Sequence, residues 1–191
     1  KPTGKGPKLD SVQLDASDAI ISTERLAELM KCCDAPEKLK ILDASIKPDS
    51  DVYKEFANER IQGARFLDLQ FVRDFGKPYP FMMPGQQHFV RAMKAMDVRK
   101  SHTVVIYDSG KGFFASRAVF MMRAFGHPKV FLLDGGLIKW KKEGRAIEDS
   151  PIAEFEAEFA YELNQESLIS YDRVKEASES GSIQIIDNRP P

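Results

Sequence analysis

The stretch TVVIYDSGKGFFASRAVFMMRAFG, Thr103 to Gly126, has the residue types and spacing of a reactive loop. A β-branched apolar run ends at Asp108, glycines follow at 110 and 112, and a long apolar segment opens at Phe113. Strand, loop and helix in that order aim backbone N–H groups and the positive end of a helix dipole at the loop mouth. Such a bowl suits an anion, or a thiolate whose pKa it lowers. The residue in the mouth is Asp108, which brings a negative charge of its own. Its carboxylate can accept from the loop N–H groups and cap the helix that follows. The pattern therefore predicts a loop of Asp108, Ser109, Gly110, Lys111, Gly112 and Phe113 whose nucleophile position holds a structural acid.

Rival chemistries for this loop fail on single residues. A Cys-dependent phosphatase needs the thiol that Asp108 replaces. An aspartyl phosphotransferase wants a second carboxylate two residues on, where Gly110 stands. Gly110-Lys111-Gly112 lacks the G-x-x-x-x-G-K-[ST] frame of a phosphate loop. Lys111 and Arg117 could attract anions, but a loop cation is ordinarily solvated. His88, His102 and His127 show no metal-ligand spacing and read as surface or packing residues, so no metal is expected. Cys32 and Cys33 are adjacent, and neighbours on a helix point about 100° apart, so they read as structural thiols rather than a pair of ligands. Asp43 reads as ordering the turn after its strand, and Trp140 as a core residue or the edge of one.

These residues need elements to hold them. STERLAELMKCC carries a cap at Ser22 or Thr23 and apolar Leu26, Leu29 and Met30 at helical spacing. KLKILDAS reads as a buried strand ending at Asp43, VYKEFANERI as a short helix, and ARFLDL as a second strand. GKPYPFMMPG is a proline-rich loop lying over the body, and GQQHFVRAMKAMDV restores helical spacing. TVVIY is a central strand, FFASRAVFMMRAF a helix stopped by Gly126, KVFLL another strand, and LIKWKKEG follows the turn at Asp134-Gly135-Gly136. Strands alternating with helices predict an α/β domain with a mainly parallel central sheet, whose sites form at the carboxyl ends of strands. Asp43 and Asp108 both lie at such ends.

Composition narrows the class. Hydrophobic residues are 42 % and charged residues 30 %, enough for a core and a soluble surface, and a net charge of −1 provides no field for nucleic acid. No run of about 18 apolar residues is present to span a bilayer. The basic head KPTGKGPK is short and broken by glycine and proline, and reads as a solvated tail. EFEAEFAYEL alternates Phe155, Ala157, Phe159, Tyr161 and Leu163 with acidic or small residues, the period of an extended segment with one side on protein. A helical stretch capped by Ser167 or Ser170 comes next, then SIQIIDNRPP. This ending repeats the opening theme of helix, polar turn, apolar strand and Asp, which predicts the start of a second copy of the same domain. The expected organisation is a tail over 1–20, a domain over 21–148, a linker over 149–166 and the truncated second copy over 167–191. From Phe114 to Phe125 the helix is apolar nearly all round, which predicts one side on the sheet and the other covered by something else.

Together ISTERLAELM, ILDAS, FLDL, VVIYD, FFASRAVFMMRAFGH and VFLLDGGLIKWKKEG resemble the first half of tandem-domain rhodanese-like sulfurtransferases, the thiosulfate and 3-mercaptopyruvate sulfurtransferase family. The resemblance implies two similar α/β domains, of which only the second carries a catalytic Cys loop. Asp108 falls where the first domain commonly has Asp. It also implies a small anionic sulfur donor and a Cys persulfide intermediate in a loop beyond Pro191, with no metal or organic cofactor. The second domain, or a partner protein, would cover the Phe114–Phe125 helix. Arg189 matches a position that helps hold the anionic substrate, although on its own it also reads as a surface Arg after a strand. The sequence departs from the family at Arg60-Ile61-Gln62-Gly63-Ala64, where a His-Ile-Pro-Gly-Ala-like string is usual. A mitochondrial location, with cytoplasmic as the alternative, rests on the family analogy alone.

Overall fold

Two five-residue strands are buried along their whole length, β2 (Leu39–Asp43) and β5 (Thr103–Tyr107). Burial at every position, Lys40 and Asp43 included, needs a parallel sheet covered on both faces. The computed structural model supplies that sheet. It describes residues 6–12, 14–15, 18–47, 51–149, 163–164, 168–181 and 183–186.

The elements follow in the order β1 (Ile20–Ile21), α1 (Thr23–Met30), α2 (Ala35–Lys38), β2, α3 (Val52–Asn58), β3 (Arg60–Ile61), β4 (Ala64–Phe66) and α4 (Gln86–Ala95). After β5 come α5 (Phe113–Ala124), β6 (Val130–Leu133), α6 (Gly136–Lys142), β7 (Ile147–Glu148) and α7 (Tyr171–Ser180). A five-stranded sheet has the order β1-β6-β5-β2-β4, with every pairing parallel. A two-stranded antiparallel pair, β3 with β7, closes the domain at its far end. The α/β class with a mainly parallel sheet is thus the one the sequence predicts.

Alternation along the strands divides the core. Leu42, Val104 and Ile106 face one side with Phe89, Met93, Ala118, Met121 and Met122. Ile41, Val105, Tyr107 and Phe131 face the other with Leu26, Leu29 and Trp140. Helices α4 and α5 cover the first face, and α1 and α6 the second. Each fully buried large apolar side chain contributes roughly 1.5–3 kcal/mol, so these two layers dominate the stability. Of the two capping candidates for α1, Ser22 accepts from the N–H of Arg25 at 3.1 Å. Thr23 turns instead to Glu143 at 2.6 Å, tying α1 to the end of α6.

Three expectations need correction. The segment 1–20 is not wholly a tail: Leu9 is buried in the second core layer and Ile20 opens β1. β1 adds to the sheet beside β6, a pairing no local pattern announces. The far side of α5 is also less bare than its composition predicts. Phe89 stacks on Phe125 at 3.9 Å, Phe81 packs on Phe114 at 5.7 Å, and Leu163 joins the same core layer. Helix α4, the proline-rich loop and Leu163 pack on that helix, leaving Phe113 and Phe120 outside. Arg117 is not a solvated cation, because its guanidinium donates twice to the Phe81 carbonyl, at 3.2 and 2.8 Å, and pins the proline-rich loop. Of the alternating segment, Phe155 to Tyr161 lie outside the described residues; Asn164 donates to the Ala124 carbonyl at 2.7 Å.

His102 and His127 are buried packing residues near the amino end of β5. Burial, first, pushes each imidazole down from 6.5 to about 4. His102 Nδ1 accepts from the N–H of Arg99 at 3.1 Å, as the neutral ring requires. A depressed folded pKa stabilises the fold above the unfolded value and loses that contribution as pH falls through the folded one. Stability should therefore decline between pH 6.5 and pH 4, by up to about 3 kcal/mol per histidine at the acid end. Asp43 works the other way, since burial raises its pKa, and its contribution is lost as pH rises through that raised value. Urea unfolding at pH 7, 5.5 and 4.5 tests the sum, and a free energy flat across that window would sink this assignment.

Candidate functional site

β5 delivers Asp108 to the carboxyl edge of the sheet, between β2 and β6. Asp108 is 3 % exposed, and its side chain fills the bowl that the loop builds. Oδ1 accepts from the N–H groups of Gly110 and Gly112, both at 2.9 Å. Oδ2 accepts from Phe114 at 3.1 Å and Ala115 at 3.2 Å, the first turn of α5. One carboxylate thus takes the loop donors and caps the helix from outside it. Gly112, the residue before α5, has φ of 71° and no side chain to cap with. That backbone is why glycine stands there.

The next loop closes over this one. The N–H of Leu137 donates to the Asp108 carbonyl at 3.0 Å. A Cβ on Gly136 would lie 2.4 Å from that oxygen, so only glycine lets α6 start there. Ile138 then lies against Gly110. Lys111 is exposed, and Phe113 projects to solvent at the head of α5, edge-on to Phe114 with ring centres 5.2 Å apart.

Beside the loop, Asp43 ends β2 in register with Tyr107. The Asp43 carboxylate accepts from the N–H of Ser45 at 2.8 Å, the turn-ordering role its position predicts. Burial raises its pKa, the Asp108 charge adds to that, and hydrogen bonds from Ser45 and Tyr107 pull it back. Tyr107 is raised well above 10.0, first by burial and then by the Asp43 charge, and its hydroxyl accepts from the N–H of Ile61 at 3.3 Å. A cavity of about 280 Å³ opens over Asp43 and Ser45, with Ser109 and Ile138 on its wall. Its flanking lysines are already engaged, Lys47 with Glu55 and Lys141 with Glu59. Sequence reasoning did not reach Tyr107 or Ser45, because both act through strand register. The only local signal was their position at the carboxyl ends of strands.

The other candidates lie elsewhere. Arg60, where the family string has His, is 2 % exposed and pairs with Glu148 at 3.2 Å, binding β3 to β7. Cys32 is buried, and desolvation raises its pKa, which opposes a reactive thiolate; Cys33 donates weakly to the Gly6 carbonyl at 3.5 Å. Both precede the amino end of β2, away from the Asp108 loop. Trp140 is a core residue whose Nε1 donates to the Ala146 carbonyl at 2.8 Å. Arg189 lies outside the described residues. Among the described residues no three His, Cys, Asp or Glu side chains assemble as a metal site, and no helix is long and apolar enough to cross a membrane. Chemically, the loop is an anion bowl whose anion is its own side chain.

Residues 22–143 match the rhodanese-like domain model. The chain is 35 % identical to thiosulfate sulfurtransferase of Gallus gallus over 176 residues, covering 90 % of this chain and 61 % of that protein. It is 36 % identical to 3-mercaptopyruvate sulfurtransferase of Homo sapiens, covering 90 % of this chain and 59 % of that one. The crystal structure of the 3-mercaptopyruvate sulfotransferase SseA from Escherichia coli superposes with a TM-score of 0.83 at 32 % identity, over 91 % of this chain and 66 % of that structure. The chain therefore spans about three fifths of the length of the curated relatives it matches.

Proposed function

The chain belongs to the rhodanese-like domain family, and on that premise we propose that it is the non-catalytic domain of a sulfurtransferase. The parent protein moves sulfane sulfur from thiosulfate or 3-mercaptopyruvate to a thiophilic acceptor. In the reaction a thiolate attacks the sulfane sulfur, the donor remnant leaves, and the persulfide so formed is attacked by cyanide or a thiol. That thiolate belongs to a second rhodanese domain, of which 167–191 is the beginning and 149–166 the connecting linker. The observation that carries the reading is the Asp108 carboxylate held by four N–H groups where the persulfide would form. A carboxylate cannot store sulfane sulfur, and Cys32 is buried with a raised pKa.

The C-terminal residues support the second domain. Helix α7 is capped by Ser170 and followed by Ile183, Ile185 and Ile186, all about half exposed or more. Three isoleucines within four positions suit a strand whose sheet comes from further residues. The second domain is also the proposed cover for Phe113 and Phe120 on α5, and Arg189 the proposed contact for the anionic donor. Mitochondria are the proposed location.

A second reading, a catalytically dead rhodanese-fold subunit of a larger assembly, is favoured by Phe113 at 70 % and Ile138 at 63 % exposure on the rim of the filled bowl. One experiment separates the two. The 191-residue chain should show no thiosulfate:cyanide or 3-mercaptopyruvate sulfurtransfer above the protein-free rate. The native polypeptide should be heavier than 21.6 kDa and lose its turnover on thiol alkylation. A native mass near that of this chain, without turnover, leaves the subunit reading in its place. Turnover by the chain alone overturns both.

A further inference from the structure

Away from the Asp108 loop, a cavity of about 390 Å³ lies between the segment after β4 and helix α4. That is within the roughly 300–1,000 Å³ of small-molecule sites. Phe71 and Val72 form one wall, and Ala92, Ala95 and Met96 the other. The helix residues follow at the three- and four-residue spacing of a single face, and the two alanines leave the room. The lining is mainly apolar, and two nitrogen-bearing side chains of α4 reach it, His88 and Arg91.

Both are unspent. His88 Nε2 is buried with no hydrogen-bond partner. A buried polar atom left without a partner is destabilising, and a bound acceptor would satisfy it. Arg91 is exposed and has no ion pair among the described residues. The His88 ring is already set between aromatic neighbours, 5.3 Å from Phe71 and 5.9 Å from Phe75, which are themselves 63 % and 55 % exposed. Asp68 is the acid at the mouth, and its Oδ1 is taken by the N–H groups of Gln70 and Phe71, at 2.8 and 3.2 Å.

We propose that this cavity binds a small planar aromatic carboxylate. The ring lies between Phe71 and the Ala95–Met96 wall, the carboxylate pairs with Arg91, and His88 donates its Nε2 proton. The site is independent of the Asp108 loop and of sulfur transfer.

The probe is 2-naphthoate, titrated calorimetrically into the purified protein, with amide shifts followed by NMR and 2-naphthamide as the neutral isostere. The expected result is saturable 1:1 binding with shifts centred on residues 66–72 and 88–96. Ala95→Trp, at an exposed helix position, fills the space and should abolish it. Arg91→Glu should weaken the carboxylate by about tenfold or more and the amide by less than about twofold. Thermal melts of both variants verify folding. Absence of saturable binding at millimolar probe overturns the site, as does binding that survives Ala95→Trp. Equal weakening of acid and amide by Arg91→Glu overturns the carboxylate.

Discussion

Asp108→Ala should lower the unfolding free energy by about 3–5 kcal/mol, among the largest effects of any single truncation in this domain. The carboxylate accepts four N–H bonds, two from the loop and two from the first turn of α5. Bonds to a charged acceptor are each worth roughly 1.5–3 kcal/mol, discounted here because water can reach part of the emptied bowl. For a domain of this size the midpoint of thermal unfolding should fall by about 10 °C. Asp108→Asn keeps the shape but sets an NH2 group against N–H donors, so it should cost less than alanine and still be plainly destabilising. Sulfate supplies the control: an anion that occupies the emptied bowl raises the midpoint of the alanine variant more than that of the wild type. An alanine variant as stable as the parent would mean that the bowl does not need its acid.

Gly136→Ala should cost about as much for a different reason. The added Cβ would stand 2.4 Å from the Asp108 carbonyl oxygen and 3.2 Å from Cα and N of Gly110. All three are backbone atoms, so no rotamer change relieves the overlap, and the start of α6 must withdraw from the loop. The backbone is also left-handed here, at φ of 53°, which adds about 1–2 kcal/mol for any residue with a Cβ. Gly144→Ala separates the two effects. Its φ is 67°, and nothing lies within 4 Å of the added atom, so it pays only the conformational cost. Denaturant midpoints of the two variants side by side decide the matter, and equal losses would show that the close approach of the loops contributes nothing.

How much of this was legible beforehand differs from residue to residue. The five-residue run ending at Tyr107 is apolar without alternation, and a sheet buried on both faces accommodates that. A cap at Ser22 or Thr23 before the first helix, and Gly126 after the apolar one, mark ends that follow from backbone chemistry alone. The α/β class and the strand–loop–helix around Asp108 could therefore be read from the chain, as could the turn role of Asp43, each resting on residues within a few positions of one another. What tertiary structure decided are contacts between residues far apart in sequence. Parallel pairing of β2 with β5 sets Asp43 beside Tyr107, and nothing near either residue encodes that register. The width of the apolar surface on α5 was visible, but not its cover, because Phe89, Phe81 and Leu163 arrive from three separate segments. Arg60 looked like a departure from a motif, and folding makes it a buried cation with an acid 88 positions away as its partner. The chain by itself specified backbone preferences and the choice of an acid at 108; only packing, which brings two loops within contact at Gly136, determined that the acid's bowl is closed.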